Sequence, residues 1–432
     1  MTDTLREQVQ GKRVLVLGYG REGKSTFRAL LRAGGWAALD VADANPVEIE
    51  GGGEGHRVLS GPGYLDCLDN YDLVFKTPGI VLPRPWEDYA CRFTSQTEQF
   101  LRRYRDQVVG ITGTKGKSTT TTLIHHVLKT AGKDCLLAGN IGVPVFDIAP
   151  QIGLSTILVV ELSCHQLEHC GQSPSLAVLL NFYEDHLDHY GTFENYVRAK
   201  KNIYLHQRPE DTLYCGSNAM PQPGACPSRI VPIEPEALPF TRLEQVEGAR
   251  LRGAHNLYNC AAAQLVCGRF GVDDETFTAA LAAYWPLPHR LEYLGARDGV
   301  DYYDDSISTT AESAISAVKS VPNAAILLLG GMDRGIEYEA LADFLLTESQ
   351  LEQVVLMYES GQRIGRLLTE RGGADHPLNI QYLPDLYQAA AWVRENARPG
   401  TACILSPASA SYGHFKNFEE RGEVFKQLIF GE

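Results

Sequence analysis

Short uninterrupted apolar runs recur along the chain, each followed by a small-residue or carboxylate-bearing turn and then by apolar positions at helical intervals. Arg13-Val-Leu-Val-Leu17 runs into Gly18-Tyr-Gly-Arg-Glu-Gly23, after which Phe27, Leu30 and Leu31 mark a helix. A second strand-like stretch ends at Asp43, and a third, Asp72-Leu-Val-Phe, ends in Lys76-Thr-Pro-Gly-Ile80. Pro83, Pro85 and Trp86 form a rigid connection to a helix predicted over Thr94 to Tyr104. The next run, Val108-Val-Gly-Ile111, leads through a glycine-rich turn into a helical stretch, Thr119 to Thr130, whose apolar positions are Leu123, Ile124, Val127 and Leu128. Thr156-Ile-Leu-Val-Val160 is apolar without alternation, the signature of a strand buried on both faces, and Glu161 stands where it ends.

Residues 193 to 205 read as a helix, and residues 211 to 247 as short strands broken by prolines. After Pro286-Leu-Pro288, a linker-like signature, the alternation resumes. A strand ends at Tyr303-Asp-Asp-Ser-Ile-Ser-Thr-Thr310, and others are Leu327-Leu-Leu, Val354-Val-Leu-Met and Ala402-Cys-Ile-Leu. Strand and helix patterns alternating in this way predict an α/β chain with mostly parallel sheets. A length of 432 residues calls for more than one core. The expected division is 1–94, 95–286 and 287–432.

Composition narrows the function. At 44% hydrophobic and 21% charged the chain is an ordinary globular one, and a net charge of −14 argues against nucleic acid as a partner. No membrane span is expected, since no 18 apolar residues run together, and the segment Met1 to Arg13 is polar rather than signal-like. Ten cysteines without any Cys-x-x-Cys pair read as reduced thiols in a cytoplasmic protein.

The chemistry concentrates in Gly113-Thr-Lys-Gly-Lys-Ser-Thr119, between a strand and a helix N-terminus. Unpaired N–H groups and the positive end of the helix dipole suit phosphate oxygens there. Lys117 supplies a charge for the β/γ-phosphates and Ser118 a hydroxyl for a metal ion. The loop, Gly113, Thr114, Lys115, Gly116, Lys117, Ser118 and Thr119, reads as an ATP site, although only Thr114 and Lys115 separate Gly113 from Gly116. Glu161 and His186, at neighbouring strand ends, are candidate ligands for the accompanying metal. Asn256 and Asn259 share a helix face suited to an adenine or ribose. Gly18, Gly20 and Gly23, with Asp43 about twenty residues on, fit NAD, another phosphate-bearing nucleotide or a plain tight turn. Lys200 and Lys201, on a helix, read by themselves as a solvated pair. Gly330-Gly-Met-Asp-Arg-Gly335 is a weak glycine fingerprint, and its Arg334 suits a carboxylate better than a nucleotide.

Beyond these readings the chain resembles the Mur ligases of peptidoglycan synthesis over essentially its whole length. The resemblance rests on ordered motifs: the phosphate loop, Gly139-Asn-Ile-Gly142, Glu161-Leu-Ser163, Glu184-Asp-His186, Ala199-Lys200, His255-Asn-Leu-Tyr-Asn259, Pro288-His-Arg290, Asp304-Asp-Ser306 and Ser406-Pro-Ala-Ser-Ala-Ser-Tyr-Gly-His-Phe-Lys-Asn-Phe418. The last stretch points to the glutamate-adding members. The resemblance implies a Rossmann-like N-terminal domain for a UDP-sugar, a central P-loop ATPase domain and a Rossmann-like C-terminal domain for the amino acid. It implies ATP, Mg2+, UDP-N-acetylmuramoyl-L-alanine and D-glutamate as cofactors and partners, and a monomer is expected.

By the same resemblance, Lys200 matches a lysine carbamylated into a metal ligand beside Ser118, Glu161 and His186. Lys117, Glu161, His186 and Lys200 are then the catalytic set. Arg290 and Asp305 match nucleotide contacts. Gly18, Gly20, Arg21, Glu22, Gly23, Asp43, Thr77, Gly79 and Asn140 are expected at the UDP-sugar. Thr309, Arg334, Ser411 and Phe418 are expected at the amino acid. Where the glutamate-adding pattern often has Asp-Ser-Lys, this chain has Asp305-Ser-Ile307, so one cationic partner of the amino acid is missing and L-glutamate stands as the runner-up. A folate-polyglutamate-type ligase is the nearer rival, set apart by residues 1–94. A nicotinamide-binding protein is the more distant one.

Overall fold

The computed structural model describes residues 1–50, 55–321, 323–372 and 378–431. It divides into two compact units, Met1–Thr241 with Tyr258–Leu281, and Arg242–Leu257 with Ala282–Glu432.

The first unit holds two sheets. One is built from β1 (Arg13–Leu17), β2 (Ala38–Asp43), β3 (Val58–Ser60), β4 (Leu73–Lys76) and β5 (Arg92–Thr94), in the order β3-β2-β1-β4-β5. Every pairing is parallel. Val14 to Leu17 are fully buried, which explains why this strand carries no polar alternation. The second sheet comprises β6 (Val108–Thr112), β7 (Cys135–Gly139), β8 (Ile157–Glu161), β9 (Leu176–Leu179), β10 (Thr212–Cys215) and β11 (Arg229–Pro232). Its order is β11-β10-β9-β6-β8-β7, again all parallel. One continuous apolar core runs from Val16 and Phe27 through Phe100 and Phe146 to Leu158 and Leu213, so the two sheets share an interior. Arg28 and Ser25 tie the same junction by binding Asp147.

The second unit holds β12 (Glu292–Arg297), β13 (Val300–Asp304), β14 (Ala324–Leu329), β15 (Gln353–Leu356), β16 (Asn379–Tyr382) and β17 (Ala402–Leu405), ordered β12-β13-β17-β14-β15-β16. All pairs are parallel except the β12–β13 hairpin. The period of two along β14 sends Leu327 and Leu329 to one apolar layer and Ile326 and Leu328 to the other, so helices cover both faces.

The α/β expectation is met. The helix placed at Thr119 begins at Lys117, the one placed at Thr94 begins at Gln96, and the one placed at 193–205 stops at Lys201. The proline-rich stretch contributes only β10, β11 and short 3-10 turns. All ten cysteines are free. Among the described residues no helix is long and apolar enough to cross a membrane.

Candidate active site

In the first unit β6 is central, flanked by β9 and β8, and delivers Gly113 to the carboxyl edge of the sheet. Gly116 caps the helix Lys117–Thr130 with a φ of 84°, a left-handed conformation that glycine adopts without strain. A Cβ there would also lie 2.3 Å from Asn259 Oδ1, so the glycine is demanded by packing as well as by phosphate access.

The loop is clamped by a side chain the sequence reading passed over. Asn181 Oδ1 accepts from the backbone N–H groups of Thr114 (3.1 Å) and Lys115 (2.8 Å), while its Nδ2 donates to Lys115 O (3.1 Å). Thr114 Oγ1 sits 2.9 Å from Tyr196 Oη and accepts from Tyr183 N. A loop-region Asn and a mid-helix Tyr have no signature spacing, and only the apposition of strand ends makes them visible.

Lys117 Nζ donates to the carbonyls of Gly113 and Thr114, both at 3.0 Å. Lys200 Nζ donates to the same Gly113 carbonyl at 2.8 Å. The solvated-pair reading of Lys200 is thereby corrected. The helix Phe193–Lys201 buries Tyr196, Ala199 and Lys200 on one face, and Lys200 is only 1% exposed. Its ammonium lies 4.9 Å from the Tyr196 ring centroid. Burial, and then the neighbouring charge of Lys117, lowers the Lys200 pKa to about 7. Much of this amine is therefore unprotonated at neutral pH.

Glu161, at the end of β8, is 1% exposed. Its Oε1 accepts from Asn140 Nδ2 at 2.8 Å, and its Oε2 has no hydrogen-bond partner. An orphaned buried acceptor costs about 1–3 kcal/mol unless a ligand satisfies it, and the charge of Lys200 interacts with this carboxylate. The donor set fits a hard divalent cation: a carboxylate oxygen free to bind, and the buried hydroxyl-bearing Ser118 opening the helix. His186 is exposed, with a positive φ of 54°. Its pKa is lowered, chiefly by partial desolvation of the ring and despite Asp185, which favours the neutral imidazole that can act as a ligand. Its ring stands 4.9 Å from that of His165, which in turn meets His189 at 4.5 Å, a cluster that sequence spacing did not suggest.

The UDP-sugar candidates gather at the edge of the first sheet. A Cβ on Gly23 would fall 1.9 Å from Gly18 O, so the turn closes only with glycine. Asp43, expected at a ribose, accepts from Tyr19 N (2.7 Å) and Asn45 N (2.9 Å), and so braces the glycine loop. Thr77 donates to Leu17 O at 2.9 Å. Arg21 reaches Asn140 O at 3.3 Å, which joins the two sheets' loops. Glu22 turns away from solvent: its Oε2 accepts from Gln166 Nε2, its Oε1 is unpartnered, and burial raises its pKa to about 7. Beside it a cavity is lined by Lys76, Thr77, Trp86, His165, Gln166 and His169. Gly20 and Gly79 lie in the same two loops.

Asn259 belongs to the first unit and meets the phosphate loop. Asn256 belongs to the second, where its Nδ2 donates to Arg252 O at 2.9 Å. Also in the second unit, Asp305 is buried just past β13. Its oxygens accept from Leu291 N (3.1 Å) and from the hydroxyls of Ser406 (2.7 Å) and Ser308, and burial pushes its pKa up to about 7. Arg290 is half-buried nearby in the chain. Ile307 and Thr309 are half-buried, Ser411 is buried, and Phe418 opens the helix Phe418–Phe430. Arg334 is exposed on a turn held by Asp333, which accepts from Arg363 Nη1 (2.8 Å) and Gly335 N (3.0 Å).

Residues 111–219 match the Mur ligase middle domain family. A protein of Geobacillus kaustophilus named UDP-N-acetylmuramoylalanine–D-glutamate ligase is 34% identical, over 97% of this chain and 98% of its own. A protein of the same name from Symbiobacterium thermophilum is 32% identical over the same shares. Among solved structures, the MurF ligase of Thermotoga maritima in complex with ADP superposes with a TM-score of 0.61 at 18% identity, covering 99% of both chains. The UDP-N-acetylmuramate–alanine ligase of that organism gives 0.58 at 17%, covering 96% of this chain and 98% of its own. These two likenesses speak to the fold.

Proposed function

The chain belongs to the Mur ligase family, and from that premise we propose that it joins D-glutamate to UDP-N-acetylmuramoyl-L-alanine at the expense of ATP, in peptidoglycan precursor synthesis. The observation that carries the reading is the convergence of Lys117 and Lys200 on the Gly113 carbonyl at the end of β6. Full-length similarity to ligases of that name supports the choice of substrates. The three-part division at 94 and 286 is proposed with it: UDP-sugar on the first part, ATP on the second, amino acid on the third.

A carboxylate oxygen of the bound substrate attacks the γ-phosphorus, an O–P bond forms, and ADP departs with the electrons of the broken bond. The glutamate amine then attacks the acyl carbon. A C–N bond forms, phosphate leaves and the amine loses its proton. Two anions meet in the first step, so positive charge at the phosphates decides the rate. Lys117 supplies it once its ammonium is drawn from the loop carbonyls to phosphoryl oxygens. The N–H groups at the start of the helix Lys117–Thr130, held in place by Asn181 and Thr114, bind the remaining oxygens. Mg2+ would be held by Ser118, Glu161, His186 and Lys200, and when bound it supplies Lewis-acid neutralisation of the phosphates. Lys200 fits this set as a carbamate, because with its pKa lowered to about 7 a substantial fraction of the amine is in the neutral form that adds CO2. Thr309, Arg334, Ser411 and Phe418 are proposed for the amino acid. ATP as a substrate places the reaction in the cytoplasm, and a monomer is the proposed form.

Ile307, standing where a lysine is usual, removes a cation from the acceptor pocket, and L-glutamate is kept as the second reading. Phosphate release from ATP, measured with UDP-N-acetylmuramoyl-L-alanine and each enantiomer of glutamate, tests both. Release that requires the nucleotide-sugar and D-glutamate is expected. Higher kcat/KM with L-glutamate would reverse the stereochemistry, and release without the nucleotide-sugar would sink the assignment.

A further inference from the structure

At the carboxyl edge of the third sheet a single guanidinium is fully enclosed. Arg421, on the helix Phe418–Phe430, is 1% exposed. Its Nε donates to Ser306 Oγ at 3.0 Å, and its Nη2 donates to Ser306 O at 2.7 Å and Ser409 O at 3.0 Å. Its Nη1 has no partner, and a Cβ built on Gly331 would lie 3.1 Å from that nitrogen. Ser306 follows β13, Gly331 follows β14 and Ser409 follows β17, so one side chain touches three adjoining strand ends. Ser360 closes the set. Its hydroxyl accepts from Gly331 N (2.8 Å), donates to Gly331 O (2.9 Å) and stands 2.8 Å from Ser409 Oγ.

Two facts need explaining together. Among the described residues no carboxylate lies within ion-pair distance of Arg421, although burial leaves its pKa near 10 and so leaves it charged at neutral pH. A buried charge with no carboxylate in contact, only the fields of Asp304 and Asp305, is expensive and survives where something else requires it. The second fact is position along the chain. Thr309 lies three residues past Ser306, Arg334 three past Gly331, and Ser411 two past Ser409. Three of the four candidate contacts of the amino acid thus follow loops that Arg421 bonds or packs against, and the fourth, Phe418, opens the helix that carries Arg421.

We infer that Arg421 is the positioning residue of the acceptor site: it locks the three loops in register and sets a permanent positive charge behind them, for an amino acid that brings a second carboxylate. The inference rests on the glutamate-ligase reading. It assigns Arg421 no contact with the reacting atoms. Lysine cannot replace it, because a point charge cannot span Ser306 and Ser409 as a planar fork does.

The test uses the full chain with Arg421→Lys, which keeps the charge and loses the fork, Arg421→Met, which keeps the bulk and loses the charge, and Ser360→Ala. Arg421→Lys should raise the KM for glutamate by at least about tenfold while the KM for ATP stays within about twofold. Arg421→Met should raise it further, and Ser360→Ala by about threefold. A purely structural role would lower the melting temperature and move both KM values together, and that result overturns the inference. An unchanged glutamate KM in Arg421→Lys overturns it too. Should Arg421→Met fail to fold, the other two variants decide. A wild type whose phosphate release does not depend on glutamate overturns the function reading, and this inference with it.

Discussion

Lys200 and Arg421 are both buried cations, each 1% exposed, each donating to backbone carbonyls at the carboxyl edge of a parallel sheet. They differ in what burial does to them. Lys200 shares its carbonyl with Lys117, and its pKa falls to about 7. Arg421, bonded to carbonyl and hydroxyl oxygens, is lowered by burial only to about 10 and keeps its charge at neutral pH. Desolvation can take the proton from an ammonium but not from a delocalised guanidinium. The carbamate proposed at Lys200 calls for an amine that is nucleophilic toward CO2, and there the chain places lysine beside a second cation. Where it needs a charge that persists, it places arginine among carbonyls. The surroundings differ as well: Glu161 keeps one buried oxygen without a hydrogen-bond partner, whereas Asp305 has its oxygens satisfied within the fold.

The comparison breaks most visibly at Lys200. Lys200→Ala should lower kcat by about a thousandfold or more, and short carboxylic acids should restore part of it by standing in for the carbamate. Lys200→Arg, which cannot be neutralised, should be as inactive and should not respond to those acids. Rescue of the arginine variant, or full activity in either, would show that the charge alone matters there. In the wild type, stripping dissolved CO2 should cost more activity as pH falls through about 7, because protonation removes the reactive amine.

A smaller effect is expected at Asn181, whose three hydrogen bonds hold the loop but supply no charge. Asn181→Ala should raise the KM for ATP by roughly tenfold and leave that for glutamate nearly unchanged. Equal rises in both would place Asn181 in general folding instead.

The smallest effect sharpens the contrast between carboxylates. Asp305 carries a raised pKa in the folded chain, so the native state holds a proton that the unfolded chain has released between pH 4 and 7. Its contribution to stability therefore falls as pH rises through that window. The melting temperature of Asp305→Asn relative to the wild type should be more favourable at pH 8 than at pH 5, by a few degrees. A difference independent of pH would mean that Asp305 is ionised throughout.

The legible parts of this molecule are those written in local spacing. Runs such as Thr156–Val160 announce buried parallel strands, and Gly113 to Thr119 announces a phosphate loop because its glycines, lysine and hydroxyl act within one turn. Glu161 was readable from its place at a strand end. Lys200 was not, since a lysine pair on a helix looks solvated until the helix face that packs inward is known. Only the family resemblance singled it out. Asn181 and Arg421 act across 66 and 115 residues of sequence, and no periodicity reports such apposition. Glu22 looked like a phosphate-loop neighbour, and only packing against Gln166 turns its carboxyl inward.

The apolar interior shared by the first two sheets has a consequence for what the enzyme can measure. Because Val16 and Leu158 lie in one cluster and Arg28 binds Asp147 across the junction, the span between the glycine turn at Gly18 and the phosphate loop at Gly113 is set by the fold, as in a caliper. On the proposed site assignment, a nucleotide-sugar gripped at one jaw would bring its far carboxylate to the other only if its length were right. On that reading, molecules that offer the correct end groups at the wrong separation would be refused by length alone.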